Sequence, residues 1–154
     1  MTTGRVARAT AADLDAIDEI EAHSFKSPWT REAFAAELSR PHARLDVLRV
    51  DDRVVGFCDA WITPASAGAR DGELQVLAIA VHPDVRGRGF GRTLLEHALA
   101  TARAERCQLA TLEVRRSNAP AIKLYERAGF AVVHVRAGYY QDDGEDALVM
   151  TLAL

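Results

Sequence analysis

The chain has 154 residues, 49% of them hydrophobic and 27% charged, with 19 basic against 22 acidic side chains. That length supports one compact domain over residues 1–154 and is too short for two ordinary ones, and the composition excludes a disordered chain. A net charge of -3 excludes a general attraction for nucleic acid, so any anion site must be local.

In chain order, the first residues, MTTGRVARATAADLDAI, lack the basic start and apolar stretch of a secretory signal. Arg5–Ala9 is predicted as a short strand. Asp13 opens a helix whose apolar positions Leu14, Ile17 and Ile20 recur at helical spacing. SFKSPWT breaks that helix, and Thr30 is a fair N-cap for a second one over Arg31–Ser39, which ends before Pro41. Arg44–Val50 and Arg53–Thr63 form a predicted hairpin around a DDR turn, and PASAGARDG is a loop by composition.

Glu73–Val81 follows as a strand and Gly89–Arg106 as a helix with Leu94, Leu95, Ala98 and Ala102 on one face. Leu109–Val114 is a strand, Asn118–Ala128 a short helix stopped by Gly129, and Ala131–Val135 and Ala147–Leu152 two last strands joined across QDDGED. Antiparallel strands followed by a strand-helix-strand-helix unit predict an α/β (α+β mixed) fold: one mixed sheet with helices on both faces. No apolar run approaches the roughly 20 residues that span a bilayer, so no membrane partner is expected. Cys58 and Cys107 are expected to be small, reduced and buried in a cytoplasmic protein. His82, His97 and His134 show no ligand spacing, and no metal is expected.

The stretch VHPDVRGRGFGRTLLEHAL places glycines at alternate positions among arginines, between a strand and a helix. It fails the dinucleotide fingerprint, because the third glycine comes one position early, and it fails the nucleotide P-loop, because Gly91 is followed by Arg92 and Thr93. What remains is the physics those loops share. Small residues let backbone N–H groups approach phosphate oxygens at a helix N-terminus, where unsatisfied donors and the helix dipole favour an anion. The alternative is a glycine-rich turn carrying solvated arginines.

Arg86-x-x-Gly89-x-Gly91 after a strand, followed by LEVRRSNAPAIKLYERAGF, resembles the GNAT superfamily of N-acetyltransferases. Within it, SFKSPWT, IAVHPDVRGRGFGRTLLEHAL and the tail RAGYYQDDGEDALVM are similar to the RimI-type ribosomal-protein-alanine N-acetyltransferases, over nearly the whole chain. The resemblance implies a GNAT-like fold, with a sheet splayed between the strands ending at Val81 and beginning near Leu109, and acetyl-CoA as cosubstrate. It places Ile79, Ala80 and Val81 on a pantetheine-binding strand, and Gly87, Arg88, Gly89, Phe90, Gly91 and Arg92 on a pyrophosphate loop. Asn118 becomes a cofactor contact, Glu113 the general base and Tyr125 the general acid. The implied acceptor is a protein N-terminus, the N-terminal alanine of small-subunit ribosomal protein eighteen.

The chemistry is coherent in its own right, since aminolysis of a thioester needs a base for the amine's proton and a donor for the departing thiolate. An α-amine, about 2.5 pKa units easier to deprotonate than lysine, suits a modest base. Other roles stand beside these: Glu113 as an ion-pair partner of Arg115 or Arg116, Tyr125 as a core residue, Asn118 as a helix cap. Phe25 and Trp29 are expected either to line the acceptor pocket or to pack a helix onto the sheet. Tyr139 and Tyr140 are candidates to flank a peptide entrance. Asp142, Asp143, Glu145 and Asp146 either attract a basic substrate or form a solvated hairpin tip. The long loop PASAGARDG is expected to reach the mouth of the cleft and influence acceptor choice. An acetyltransferase for a small amine or a lysine side chain, and a non-catalytic acetyl-CoA-binding module, remain alternatives. Direct attack in a ternary complex is expected, because no Cys or Ser stands beside a base.

Overall fold

Seven strands hydrogen-bond into one sheet in the order β1-β2-β3-β4-β5-β7-β6 in a computed structural model that describes residues 4–154. The elements are β1 (Arg5–Arg8), α1 (Leu14–Ser24), α2 (Arg31–Glu37), β2 (Ala43–Val50), β3 (Arg53–Thr63) and β4 (Gly72–Val81). There follow α3 (Phe90–Ala104), β5 (Cys107–Arg115), α4 (Ala119–Arg127), β6 (Ala131–Arg136) and β7 (Ala147–Ala153). Every predicted element is present, with ends displaced by one or two residues, as fraying and short 3-10 turns dictate. Thr30 caps α2 as expected, its hydroxyl accepting from Ala33 N at 3.1 Å.

Both faces of the sheet are covered. On one, Leu94, Leu95, Ala98 and Leu99 of α3 and Tyr125 of α4 pack on Leu74, Val76, Ala110, Leu112 and Met150. On the other, Leu14, Ile17 and Ile20 of α1 and Phe34 of α2 pack on Leu45, Val47, Phe57 and Ala80. Each helix buries an apolar stripe set by its period, which is why the pattern alone located them.

β4 changes sides partway along. Its register with β3 runs Asp59↔Ala78 and then Ala60↔Val76, so Leu77 is an extra residue. Before this bulge Leu74 and Val76 face α3; after it Ala78 and Ala80 face α1. A single inserted residue reverses a two-residue period, and the uniformly apolar VLAIAV that follows Gln75 offers no alternation from which to read it.

The α1/α2 face also holds three buried carboxylates, Glu21, Glu37 and Asp59. Trp29 N donates to Glu21 Oε2 at 2.9 Å and the Trp61 indole donates to Glu37 Oε1 at 3.0 Å. Among the described residues neither Asp59 oxygen meets a donor. Burial first, and the neighbouring Glu37 carboxyl second, push Asp59 up to about 9. Asp59 is therefore a neutral acid near pH 7, able to share its proton with Glu37.

The loop PASAGARDG corrects an expectation. It joins the end of β3 to the start of β4, and it is folded on itself by Ser66, whose N and Oγ both donate to Asp71 at 2.7 Å. The ten residues of β4 carry the chain roughly 30 Å from that loop to Val81, so it lies at the far end of the strand from the glycine-rich turn.

Candidate active site

The parallel ladder between β4 and β5 runs from Gly72↔Cys107 to Val76↔Leu112 and stops there among the described residues. Beyond it β4 continues to Val81 paired with β3, and β5 continues to Arg115 paired with β7. The sheet is thus splayed between these two strands, leaving one edge of residues 77–81 without a sheet partner. Peptide-like groups bind readily to such an edge.

A cavity of about 1110 Å³ opens at the splay, on the α3/α4 side. Ile79, Ala80 and Val81 line it from β4, Gly87, Gly89, Phe90, Gly91 and Arg92 from the turn and the start of α3, and Asn118 and Tyr125 from α4. The turn explains its own composition. Gly87 (φ +79°) and Gly89 (φ +84°) occupy left-handed backbone, the latter as the N-cap of α3. At Gly91 a Cβ would stand 3.5 Å from Leu124 and 4.0 Å from Val81, ordinary contact distances, so a larger side chain there would extend into the mouth between β4 and α4. The 15-residue α3 points the free N–H groups of its first turn and its positive dipole end into this mouth.

The arginines around the turn divide by role. Arg86 Nε donates to the Val81 carbonyl at 3.0 Å and its Nη2 to Ser24 Oγ at 3.2 Å, so it braces the turn against β4 and α1. Arg92 lines the cavity while pairing with Glu96 at 2.7 Å. Arg88 points elsewhere, into a separate depression with Arg53 and Asp51, and lies outside the cavity lining. Asn118 takes its expected cap role, its side chain accepting from Ala121 N at 3.3 Å at the start of α4, and it also lines the cavity.

Tyr125 is 7% exposed, packs edge-on against Phe130 and lines the cavity. Burial holds its phenol well above the ordinary value, so it keeps its proton throughout the neutral range. Glu113 is the first β5 residue past the last β4–β5 pair. Its neighbours Leu112 and Val114 face α3 and α4, so strand alternation turns Glu113 to the opposite face, the side of α1 and α2. For that reason Glu113 does not line the α3/α4 cavity. Base and acid candidates flank the splay from its two faces.

Around Glu113 the surroundings are polar. The ion-pair partner of Glu113 is Arg136, whose Nε lies 3.2 Å from Glu113 Oε1, and not Arg115 or Arg116, which the acidic tip takes up. The Glu113 carboxylate is the foremost cause that lifts the Tyr139 phenol above its usual value, and it also raises Tyr140, which burial pushes up to about 12. Tyr139 and Tyr140 stand edge to face at 5.2 Å, which brings both predicted entrance tyrosines next to the predicted base. Phe25 lines the cavity, whereas Trp29 packs on Phe34 at 5.5 Å outside the cavity lining. Of the two, Trp29 takes the expected packing role.

The acidic tip is neither free nor merely solvated. Arg115 contacts Asp142 at 2.7 Å, Asp143 at 3.1 Å and Glu145 at 3.2 Å, and Arg116 pairs with Asp146 at 3.0 Å. Lys26 and Ser27 reach across from the α1–α2 connection to Asp143 at 2.9 Å and Asp142 at 2.8 Å. Sequence reasoning missed Arg115, Lys26 and Ser27, because their partners are 27 to 117 residues distant. It missed Asp59 as well, since one aspartate in an apolar strand gives no local sign of an acidic partner.

Both cysteines are free and buried, and burial raises the Cys58 thiol far above its ordinary value. Neither is an activated nucleophile.

Residues 14–130 match the Acetyltransferase (GNAT) family. The chain is 34% identical over 147 residues to the ribosomal protein bS18-alanine N-acetyltransferase of Salmonella typhimurium, covering 94% of each chain. It is 36% identical over 146 residues to the N-alpha-acetyltransferase RimI of Mycobacterium tuberculosis, covering 92% of this chain and 87% of that one. Its fold matches the crystal structure of the ribosomal-protein-S18-alanine N-acetyltransferase from Escherichia coli with a TM-score of 0.85 and 31% identity, over 98% of this chain and 94% of the other. A splayed sheet with a glycine-rich turn at its mouth, the family match over 14–130 and near full-length identity above 30% agree: the chain belongs to the GNAT family of acetyltransferases.

Proposed function

We propose that this protein transfers the acetyl group of acetyl-CoA to the N-terminal α-amine of a protein in the cytoplasm, with the N-terminal alanine of ribosomal protein bS18 as acceptor. The observation that carries it is the placement of Glu113 and Tyr125 on opposite faces of the point where β4 and β5 part. An acceptor entering from the α1/α2 side meets a carboxylate, and a thioester lying on the α3/α4 side meets a phenol. The relative from Escherichia coli named for acetylation of ribosomal protein S18 has a fold that matches over 98% of this chain.

The cavity fits acetyl-CoA on three counts. The N-terminus of α3 with its glycines offers backbone donors to a pyrophosphate. The free edge of residues 77–81 offers amide pairing to a pantetheine arm. The apolar walls given by Ile79, Leu95 and Leu124 suit its methylenes. When bound, acetyl-CoA supplies an acyl group already activated as a thioester.

The side chains then divide the proton work. Glu113 accepts the proton that the amine sheds as it attacks, directly or through water. Tyr125, kept protonated by burial, donates to the departing sulfur. Arg136 and Tyr139 hold the Glu113 carboxylate in place. With Cys58 and Cys107 buried and unactivated, attack is direct and needs no acetyl-enzyme.

The test is acetylation of the bS18 N-terminal hexapeptide, followed by thiol release, against the same peptide with a blocked N-terminus and a free lysine. Transfer to the free N-terminus alone is expected. Transfer to the lysine instead, or to neither, would overturn the acceptor assignment.

A further inference from the structure

The α1–α2 connection and the β6–β7 tip belong to distant parts of the chain, yet they are fastened together beside the splay. Phe25, which lines the cavity, is followed directly by Lys26 and Ser27, which bind Asp143 and Asp142. Two residues beyond Glu113, Arg115 holds the same two aspartates from beneath. Arg115 is itself fixed, since its guanidinium lies 3.9 Å from the centre of the Tyr140 ring and its side chain is 15% exposed. The tip is further anchored by Ser117 N, which donates to Glu145 at 2.7 Å. Hence the wall that carries Phe25 and the wall that carries Tyr139 and Glu113 are joined through one ionic knot.

We propose that Lys26, Ser27 and Arg115 with Asp142 and Asp143 form a clasp that fixes the acceptor entrance, making Lys26 and Arg115 positioning residues for the acceptor and not for acetyl-CoA. This rests on the acceptor side lying between these two walls, as the proposed function has it. The two halves of the clasp differ in strength. Arg115 is sheltered and makes several contacts at once, which favours a durable anchor. Lys26 is 64% exposed, and a pair of that kind is weak and readily screened by salt. The clasp therefore opens at its Lys26 end while the tip stays held by Arg115.

Two experiments test it. In the first, the Lys26→Met/Ser27→Ala double variant is compared with wild type for peptide KM, kcat and acetyl-CoA Kd. The peptide KM is expected to rise about fivefold, with the loss carried by KM more than kcat, acetyl-CoA Kd unchanged, and Lys26→Arg restoring the wild-type KM. An unchanged KM, or a parallel loss of acetyl-CoA affinity, would overturn the clasp. The second needs no acceptor: amide hydrogen exchange of residues 24–30 and 137–146 is followed in wild type at low salt and in 1 M salt, and in the double variant at low salt. Faster exchange in residues 24–30, with residues 137–146 kept protected by Arg115 and Ser117, supports the clasp, and unchanged exchange in residues 24–30 overturns it. Absence of transfer by wild type would instead strike the acceptor assignment and leave the exchange test standing.

Discussion

Arg136 sets its Nε 3.2 Å from Glu113 Oε1, so the carboxylate proposed as the base is held by an ion pair on the α1/α2 face of the sheet. Glu113→Gln keeps the shape and removes the proton acceptor. Turnover is expected to fall by about 10²-fold or more, while acetyl-CoA affinity measured by calorimetry stays put, because Glu113 is outside the cavity lining. Unchanged turnover in the variant would remove Glu113 from the mechanism.

Tyr125→Phe separates donation from packing. The ring still fills its place against Phe130, and only the hydroxyl is lost. A fall in kcat of about 10²-fold with little change in melting temperature is expected. Since burial lifts this phenol, the wild-type rate should show no loss attributable to Tyr125 ionisation between pH 6 and 9. A stability loss equal to a core deletion, with kcat retained, would make Tyr125 a packing residue.

Two glycines of the turn should fail in different ways. Gly89→Ala forces a side chain into φ +84°, which costs about 1 kcal/mol of stability although its Cβ meets nothing within 4 Å. Gly91→Leu has no such backbone penalty, and its side chain would enter the mouth between Val81 and Leu124. Acetyl-CoA Kd is expected to rise at least about tenfold in Gly91→Leu, with unfolding in urea hardly altered. Normal binding by that variant would show that the cosubstrate does not pass this point.

Asp59 predicts how stability follows pH. Its folded value is raised to about 9, above roughly 3.9 in an unfolded chain, so between these limits the native state binds more protons than the unfolded state. Stability from this group therefore falls as pH rises across the window, by up to about 1.4 kcal/mol per pH unit. The groups facing it are Glu37, Glu21 and Arg40, and only the arginine opposes the trend. Asp59→Asn should abolish its share of the slope, making the variant more stable than wild type at pH 8 and nearly equal to it near pH 4. Urea titrations across that range check the sign, and a wild-type advantage at pH 8 would contradict it.

How much of this was legible in the sequence follows from the range of each interaction. Helices α1 and α3 were readable because Leu14, Ile17 and Ile20, and Leu94, Leu95 and Ala98, repeat with the helical period. The turn at 87–91 was readable because left-handed backbone demands glycine. Glu113 and Tyr125 came from resemblance, and only the strand register shows them on opposite faces. Lys26 with Asp143, and Asp59 with Glu37, meet through the fold and leave no mark on their neighbours in sequence. The reach assigned to PASAGARDG failed for a related reason: loop length is visible locally, whereas the end of the sheet it occupies is decided by topology.

The extra residue at Leu77 gives this chain one spot inside a central strand where a residue can be lost without any neighbour changing sides. Delete Leu77 and plain alternation carries Val76, Ile79 and Val81 toward α3 and Ala78 and Ala80 toward α1, the faces they already have; delete Ile79 instead and Ala80 turns toward α3 while Val81 swings toward α1. The wall of the cavity would be turned inside out, with every later residue of the strand intact but facing the wrong neighbour. Mutational scans by substitution would pass over this distinction; a scan by single-residue deletion should tolerate loss of position 77 far better than loss of position 79, two residues along the same strand.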